Sequence, residues 1–145
     1  LGPAAPCSSH YALCNASASG NIEKVLLLLQ AGANVNGLNR FGRTALQVVK
    51  LGHSALVEAL LDKGADPNAL DPVQYLSVTH DAAREGFVDT VRVLIDHGAD
   101  VNRVDQHGNL PVHLAEREGH QEVVKLLLEH TADPRGPNTR SELRP

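Results

Sequence analysis

Ala31-Gly32-Ala33-Asn34-Val35-Asn36 recurs as Lys63-Gly64-Ala65-Asp66-Pro67-Asn68, as His97-Gly98-Ala99-Asp100-Val101-Asn102 and, shortened, as His130-Thr131-Ala132-Asp133-Pro134. The second residues of these phrases, Gly32, Gly64, Gly98 and Thr131, lie 32, 34 and 33 residues apart. A further glycine, at Gly20, Gly52, Gly86 and Gly119, precedes each of them by 12 residues. Self-similarity at a period near 33 marks a stack of repeated units, each too small to bury its own apolar face.

Between each pair of markers lies an amphipathic segment: Ile22–Gln30, Ser54–Asp62, Val88–Asp96 and Gln121–Glu129. Val91, Leu94 and Ile95, or Val124, Leu127 and Leu128, follow the i, i+3, i+4 spacing of a helix with one buried stripe. The glycine that follows suits a left-handed C-terminal cap. A shorter helix precedes the first glycine. In the last copy it opens on Leu110-Pro111-Val112-His113-Leu114-Ala115, with proline in the first turn, where its missing N–H is no loss. Each unit therefore reads as helix, tight turn, helix, extended loop.

The chain has 145 residues, and only Tyr11, Phe41, Tyr75 and Phe87 are aromatic, so the core must be built from Leu, Val and Ala. With 13 Lys+Arg against 17 Asp+Glu the net charge is −4, and no basic cluster interrupts it, which argues against nucleic acid as a partner. The longest aliphatic run, Val25 to Leu29, falls far short of the roughly 20 residues of a membrane span, and Leu1–Ser9 has no signal-peptide pattern. Cys7 and Cys14 alone make no disulfide framework and point to a reducing compartment. Asn15-Ala16-Ser17 is read as a chance match to a glycosylation acceptor.

The pattern resembles the ankyrin repeat, with its period of about 33 and its Thr-Pro-Leu-His-x-Ala signature. The expected fold is all-α: a solenoid of four helix-turn-helix repeats with hairpin-like loops. The domain is expected to span 11–134, with repeats at about 11–36, 37–68, 69–102 and 103–134, between loose tails at 1–10 and 135–145. In that architecture the first helices and the loops line a concave groove and the second helices form the outer layer.

Eight histidines invite a metal or a catalytic base, but the register explains six of them. His80 and His113 hold the histidine slot of the signature, where the ring hydrogen-bonds backbone segments. His53 and His120 follow the turn glycine, and His97 and His130 precede the loop phrase, leaving His10 and His107. No set of His, Cys and carboxylate residues has zinc spacing, and no nucleophile or phosphate-loop motif is present. No catalytic, metal or cofactor site is expected, and a binding module is the leading class.

The copies also differ. From Thr44 to Gly52 is 8 residues, against 9 from Ser77 to Gly86 and from Leu110 to Gly119, so the first helix of the second repeat should be short or distorted. Gly64 to Ser77 is 13 residues, against 12 in the neighbouring loops. The loops carrying Asn39-Arg40-Phe41-Gly42 and Asp105-Gln106-His107-Gly108 contain glycine, whereas Asp71-Pro72-Val73-Gln74-Tyr75 does not, so this middle finger should be shaped differently. Asp81 and Arg84, three apart on the helix beside it, either face a partner across the groove or pair with each other. Leu26 is the exception in an outer-helix register otherwise held by Glu58, Arg92 and Lys125, and should be exposed.

At His80-Asp81-Ala82-Ala83-Arg84-Glu85-Gly86-Phe87-Val88-Asp89-Thr90, Asn39-Arg40-Phe41-Gly42-Arg43-Thr44-Ala45-Leu46-Gln47-Val48, Asp71-Pro72 and Gly108–Ala115 the sequence resembles the ankyrin-repeat inhibitors of cyclin-dependent kinases four and six, four-repeat type. The resemblance implies a monomeric, cytoplasmic and nuclear protein without enzymatic activity. It would grip either kinase beside the ATP cleft through the concave face of repeats two and three. By preventing activation by cyclin D it would arrest the cell cycle in G1, as tumour suppressors do. It further implies that Asp81 and Arg84 are the central contacts, with Asp71, Glu23 and Lys50 at further contact positions. Val49-Lys50-Leu51 stands where four-repeat members carry a methionine run, and this protein has no Met. The rival reading is a general ankyrin-repeat adaptor for an unrelated protein.

Overall fold

The computed structural model describes residues 4–131, and of residues 4–10 only the backbone. Among the described residues there are eight helices and no strand: α1 (Ala4–Ser19), α2 (Ile22–Gln30), α3 (Ala45–Val48), α4 (Ser54–Asp62), α5 (Val78–Glu85), α6 (Val88–Asp96), α7 (Pro111–Arg117) and α8 (Gln121–His130). They stack as two layers. The odd-numbered helices pack α1 on α3 and α5 on α7, and the even-numbered ones α4 on α6 and α6 on α8. No helix among the described residues is long and apolar enough to cross a membrane.

The second helices begin and end where the apolar spacing places them, α8 running one residue further to His130. Leu13, Leu46, Leu56, Leu60, Leu94 and Leu127 are fully buried in one continuous core, joined by Val25, Val57 and Val91. All four aromatic residues are exposed, so the thin interlayer space is filled by Leu, Val and Ala. Leu26 is 43% exposed and Leu27, beside it on α2, 65%.

One boundary differs from the sequence reading. α1 starts at Ala4, inside the segment 1–10 read as a tail. Ala4, Ala5 and Pro6 occupy its first turn, where backbone N–H groups have no partner within the helix and proline removes nothing that was bonded. Residues 132–145, with the end of the fourth phrase and the expected C-terminal tail, lie outside the described residues.

Neighbouring units are tied by side groups that reach into the next backbone. Asn36 Nδ2 donates to Gly64 O at 3.0 Å while its Oδ1 accepts from Asp66 N at 2.9 Å. Asn68 repeats this pair on Gly98 O and Asp100 N. The closing asparagines of the first two phrases thus clamp the phrase that follows each of them. His80 works deeper: Nδ1 bonds Ser77 and Nε2 reaches Asn109 O at 3.0 Å. Only the neutral Nε2–H tautomer satisfies both ends, and burial lowers the pKa of this imidazole, which keeps it neutral. In the first repeat the same slot holds Cys14, whose Sγ–H points at Arg43 O. Gln47, in the second, turns back to accept from Thr44 N instead.

The turns are equally constrained. Gly86 is left-handed (φ 84°), and a β-carbon there would stand 2.5 Å from His120 Nδ1 of the next repeat. Gly52 is not left-handed, and a β-carbon would only touch the Phe87 ring at 3.5 Å. Gly86→Ala should therefore destabilise the fold by about 2 kcal/mol or more, whereas Gly52→Ala should be neutral or stabilising by about 0.5 kcal/mol; urea titrations of both variants check the contrast. Thr79 fills the buried slot held by Leu46 and Val112 in other repeats, and its hydroxyl has no hydrogen-bond partner. Thr79→Val should raise stability by about 1 kcal/mol in the same titration, by removing an unpaired buried hydroxyl.

Candidate functional site

The second repeat has a helix of only four residues, α3, and the residue it lacks reappears in the middle finger. The first finger closes with Asn39 N bonded to Arg43 O and Gly42 N to Asn39 O. The third closes the same way through Asp105, Gly108 and Asn109. The middle finger closes one residue later, Asp71 N reaching Leu76 O and Tyr75 N reaching Asp71 O. Tyr75 takes the left-handed conformation (φ 57°), alone among described residues other than glycine.

A short first helix beside a long finger leaves a hollow of about 160 Å³ on the concave face, lined by Arg43, Gln47, Asp71, Gln74, Asp81 and Arg84 among others. Asp71 is held from two sides. Its Oδ1 accepts from Val73 N at 2.7 Å and Gln74 N at 2.9 Å, and its Oδ2 from the Nε and Nη2 of Arg43. The two finger amides, and then the Arg43 guanidinium, hold this carboxyl below the usual carboxylate range. The Arg43–Asp71 pair crosses from the first finger to the second, and Gln106 N donates to Gln74 O from the third. The fingers therefore form one braced row.

Asp81 lies one turn into α5 with Arg84 a turn further on, and Arg84 Nη2 donates to Asp81 Oδ1 at 2.8 Å. The two residues pair with each other and both line the hollow. Burial pushes the Asp81 carboxyl above its usual range, with Arg84 opposing. Asp71 and Asp81 thus share a wall but differ in kind: one is neutralised by its own surroundings, the other is partly desolvated and under-compensated.

The structure brings Asp71, Asp81 and Arg84 together, as the sequence reading groups them. Glu23 and Lys50 do not line this hollow. Glu23 is exposed in the first turn of α2, in the outer layer, and the Lys50 side chain lies over Gly20 at the α1–α2 turn. Arg43 and Gln47 were not singled out from the sequence. Arg43 follows Gly42 and carries no local signal, because its partner lies 28 residues away. A second hollow of about 260 Å³ continues the groove toward the fourth repeat, with Arg84 and Arg117 flanking Leu76 and Leu114.

Ser77 lines the first hollow and lies 2.9 Å from the buried His80 ring, which superficially suggests a nucleophile and its base. Ser77 Oγ is the helix cap, accepting from His80 N, and the far ring nitrogen is committed to Asn109 O. The pair is a structural clamp. No group of three or more His, Cys, Asp or Glu among the described residues could hold a metal ion. The groove offers fixed charge and hydrogen-bonding amides, the equipment of a protein-binding surface.

The family of ankyrin repeats matches residues 3–71 and 47–138. Over 106 residues the sequence is 50% identical to cyclin-dependent kinase 4 inhibitor B of Homo sapiens, covering 73% of this protein and 77% of that one. The inhibitor of the same name from Mus musculus is 49% identical over 107 residues, 74% of this protein and 82% of its own length. Cyclin-dependent kinase inhibitor 2A of Monodelphis domestica is 47% identical over 102 residues, 70% of this protein and 60% of its own length.

Since the folded-state pKa of Asp71 is lowered, its stabilisation is complete above the unfolded carboxylate value and is lost as pH falls through the folded one. Asp71→Asn should therefore lower the thermal midpoint at neutral pH, and the difference from the parent should shrink as pH falls below the usual carboxylate range. A pH series of melting curves for the two proteins checks it.

Proposed function

Because this chain belongs to the ankyrin-repeat family of cyclin-dependent kinase inhibitors, we propose that it binds cyclin-dependent kinases four and six through the concave face of repeats two and three. In this reading it is a non-enzymatic protein inhibitor that acts at a ratio of one to one. It prevents activation by cyclin D in the cytoplasm and nucleus and so halts the cell cycle in G1. The observation that carries the reading is the Asp81–Arg84 pair in the braced hollow.

Asp81 carries a desolvation cost before any partner arrives. A guanidinium on the kinase would offset that cost, and Arg84 already holds the carboxylate in one orientation, so little rotamer entropy remains to be lost on binding. The acceptors of Asp71 are taken by its own finger and by Arg43, so its part in this reading is to fix the finger beside the kinase. A braced solenoid deforms less than a two-lobed partner. Binding energy is then available to shift the kinase lobes toward an arrangement that cyclin and ATP fit poorly. Such coupling is reciprocal: whatever factor the inhibitor takes from cyclin affinity, cyclin takes from the inhibitor.

A folded-state pKa above the usual carboxylate range means that ionised Asp81 weakens the fold at neutral pH. Asp81→Asn should therefore melt no lower than the parent, while Asp81→Ala and Asp81→Asn should each weaken kinase binding by about tenfold or more. Calorimetric titration against either kinase, with melting curves alongside, reads both effects. Unchanged affinity in well-folded variants overturns the role of Asp81. A parent protein that captures other partners but neither kinase favours the general adaptor.

A further inference from the structure

Asn36 is the clamp between the first and second repeats, and both ends of its carboxamide are in use, on Gly64 O and Asp66 N. Asn68 and Asn102 hold the equivalent positions, followed by Ala69 and Arg103, whereas Asn36 is followed by Gly37. It is the one asparagine of this protein with glycine next in sequence. A glycine has no β-carbon to keep its backbone nitrogen from the carboxamide carbon of the residue before it, so an Asn-Gly pair cyclises more readily than any other asparagine pair. In the folded protein two things oppose that approach. Gly37 N donates to Asn34 O at 2.9 Å, and the Asn36 carboxamide is fixed to the next loop. Asn36 is nonetheless exposed, and its own backbone N–H donates to Asn34 Oδ1 at 3.0 Å.

We propose that Asn36-Gly37 is a deamidation site, gated by the contact between the first two repeats, whose product loosens that contact. When the loops part, the deprotonated Gly37 nitrogen attacks Asn36 Cγ. The new N–Cγ bond closes a five-membered succinimide as the Cγ–Nδ2 bond breaks and ammonia leaves. Water then opens the ring at either carbonyl, leaving aspartate or isoaspartate at position 36. One ammonia is released and one water consumed, with no change of oxidation state.

The product carboxylate accepts but cannot donate. Its bond from Asp66 N can survive, but Gly64 O loses its donor and faces an anionic oxygen, and the nearby Asp66 adds like charge. The isoaspartyl product also lengthens the backbone by one methylene at the clamp. Among the described residues the first repeat packs chiefly on the second, through α1 and α3, so loss at this clamp falls on its main interface. The reaction would thus be slow while the stack is closed, and its product would hold the first two repeats together less firmly. It is independent of the kinase reading, since Asp81 and Arg84 belong to the third repeat.

The test follows the 145-residue protein at about pH 8.5 and 37 °C by peptide mapping, in buffer and in about 6 M urea, where the gate is open. The expected result is a gain of about 1 Da confined to the peptide bearing Asn36, with a rate about tenfold or more higher in urea than in buffer. Equal rates overturn the gate, and prior reaction at another asparagine overturns the site. These kinetics need no variant to fold. In parallel, Asn36→Asp should melt below the parent and show faster amide exchange in residues 11–36 than in the third and fourth repeats. A variant that melts with the parent overturns the loosening.

Discussion

Backbone groups at the edge of each repeat are satisfied by the side groups of its neighbour, and this reciprocal capping holds the molecule together. In the loop Gly64–Asp66 the first two N–H groups close back onto α4, at Leu61 O and Leu60 O, which leaves Gly64 O and Asp66 N to find partners outside their own unit. The Asn36 carboxamide supplies both partners at once, Asn68 does so for the next loop, and His80 reaches Asn109 O from the helical layer. Apolar burial gives the stack its cohesion, but it is not directional. The amide and imidazole clamps set the spacing between units and prevent them from sliding past one another.

That spacing places the groove. Because neighbouring units are clamped, the fingers cannot move independently, and Arg43–Asp71 and Gln106–Gln74 complete the brace. The hollow beneath them arises from one shortened helix and one lengthened finger. Within it the carboxylate that is satisfied by its own surroundings, Asp71, secures the scaffold, and the under-compensated one, Asp81, costs stability, which in the proposed function a kinase guanidinium would offset. Binding surfaces commonly accept such a local cost, which a scaffold optimised for stability alone would remove.

Periodic features were legible in the sequence because they repeat. The bounds of α2, α4 and α6, the left-handed conformation of Gly32, Gly64 and Gly98 and the exposure of Leu26 all follow from register. The missing residue before Gly52 announced the four-residue α3, and the extra one before Ser77 announced the odd finger. What register could not supply was contact between dissimilar residues far apart in the sequence. Arg43 has no counterpart in the other repeats, and its pairing with Asp71 needs the fold to bring the two together. The Cys14 contact with Arg43 O was hidden because sulfur there takes the place of an imidazole. The start of α1 at Ala4 was missed because the repeat pattern ends near Tyr11, while helix propensity continues through alanine without it.

The truncation of α3 has a consequence for cooperativity. In a one-dimensional stack, stability is roughly a sum over units and the interfaces between adjacent ones. α3 packs chiefly on α1 and α4, so between repeats two and three the load passes to the α4–α6 contact, to the Asn68 clamp, to the Thr90 hydroxyl bonded to Leu51 O and to the fingers. This seam is where the solenoid would part into two folding units. The groove sits astride it. A protein bound there acts as a splint across the joint, and by mass action its affinity is added to the stability of a fold that is thinnest at the place of contact.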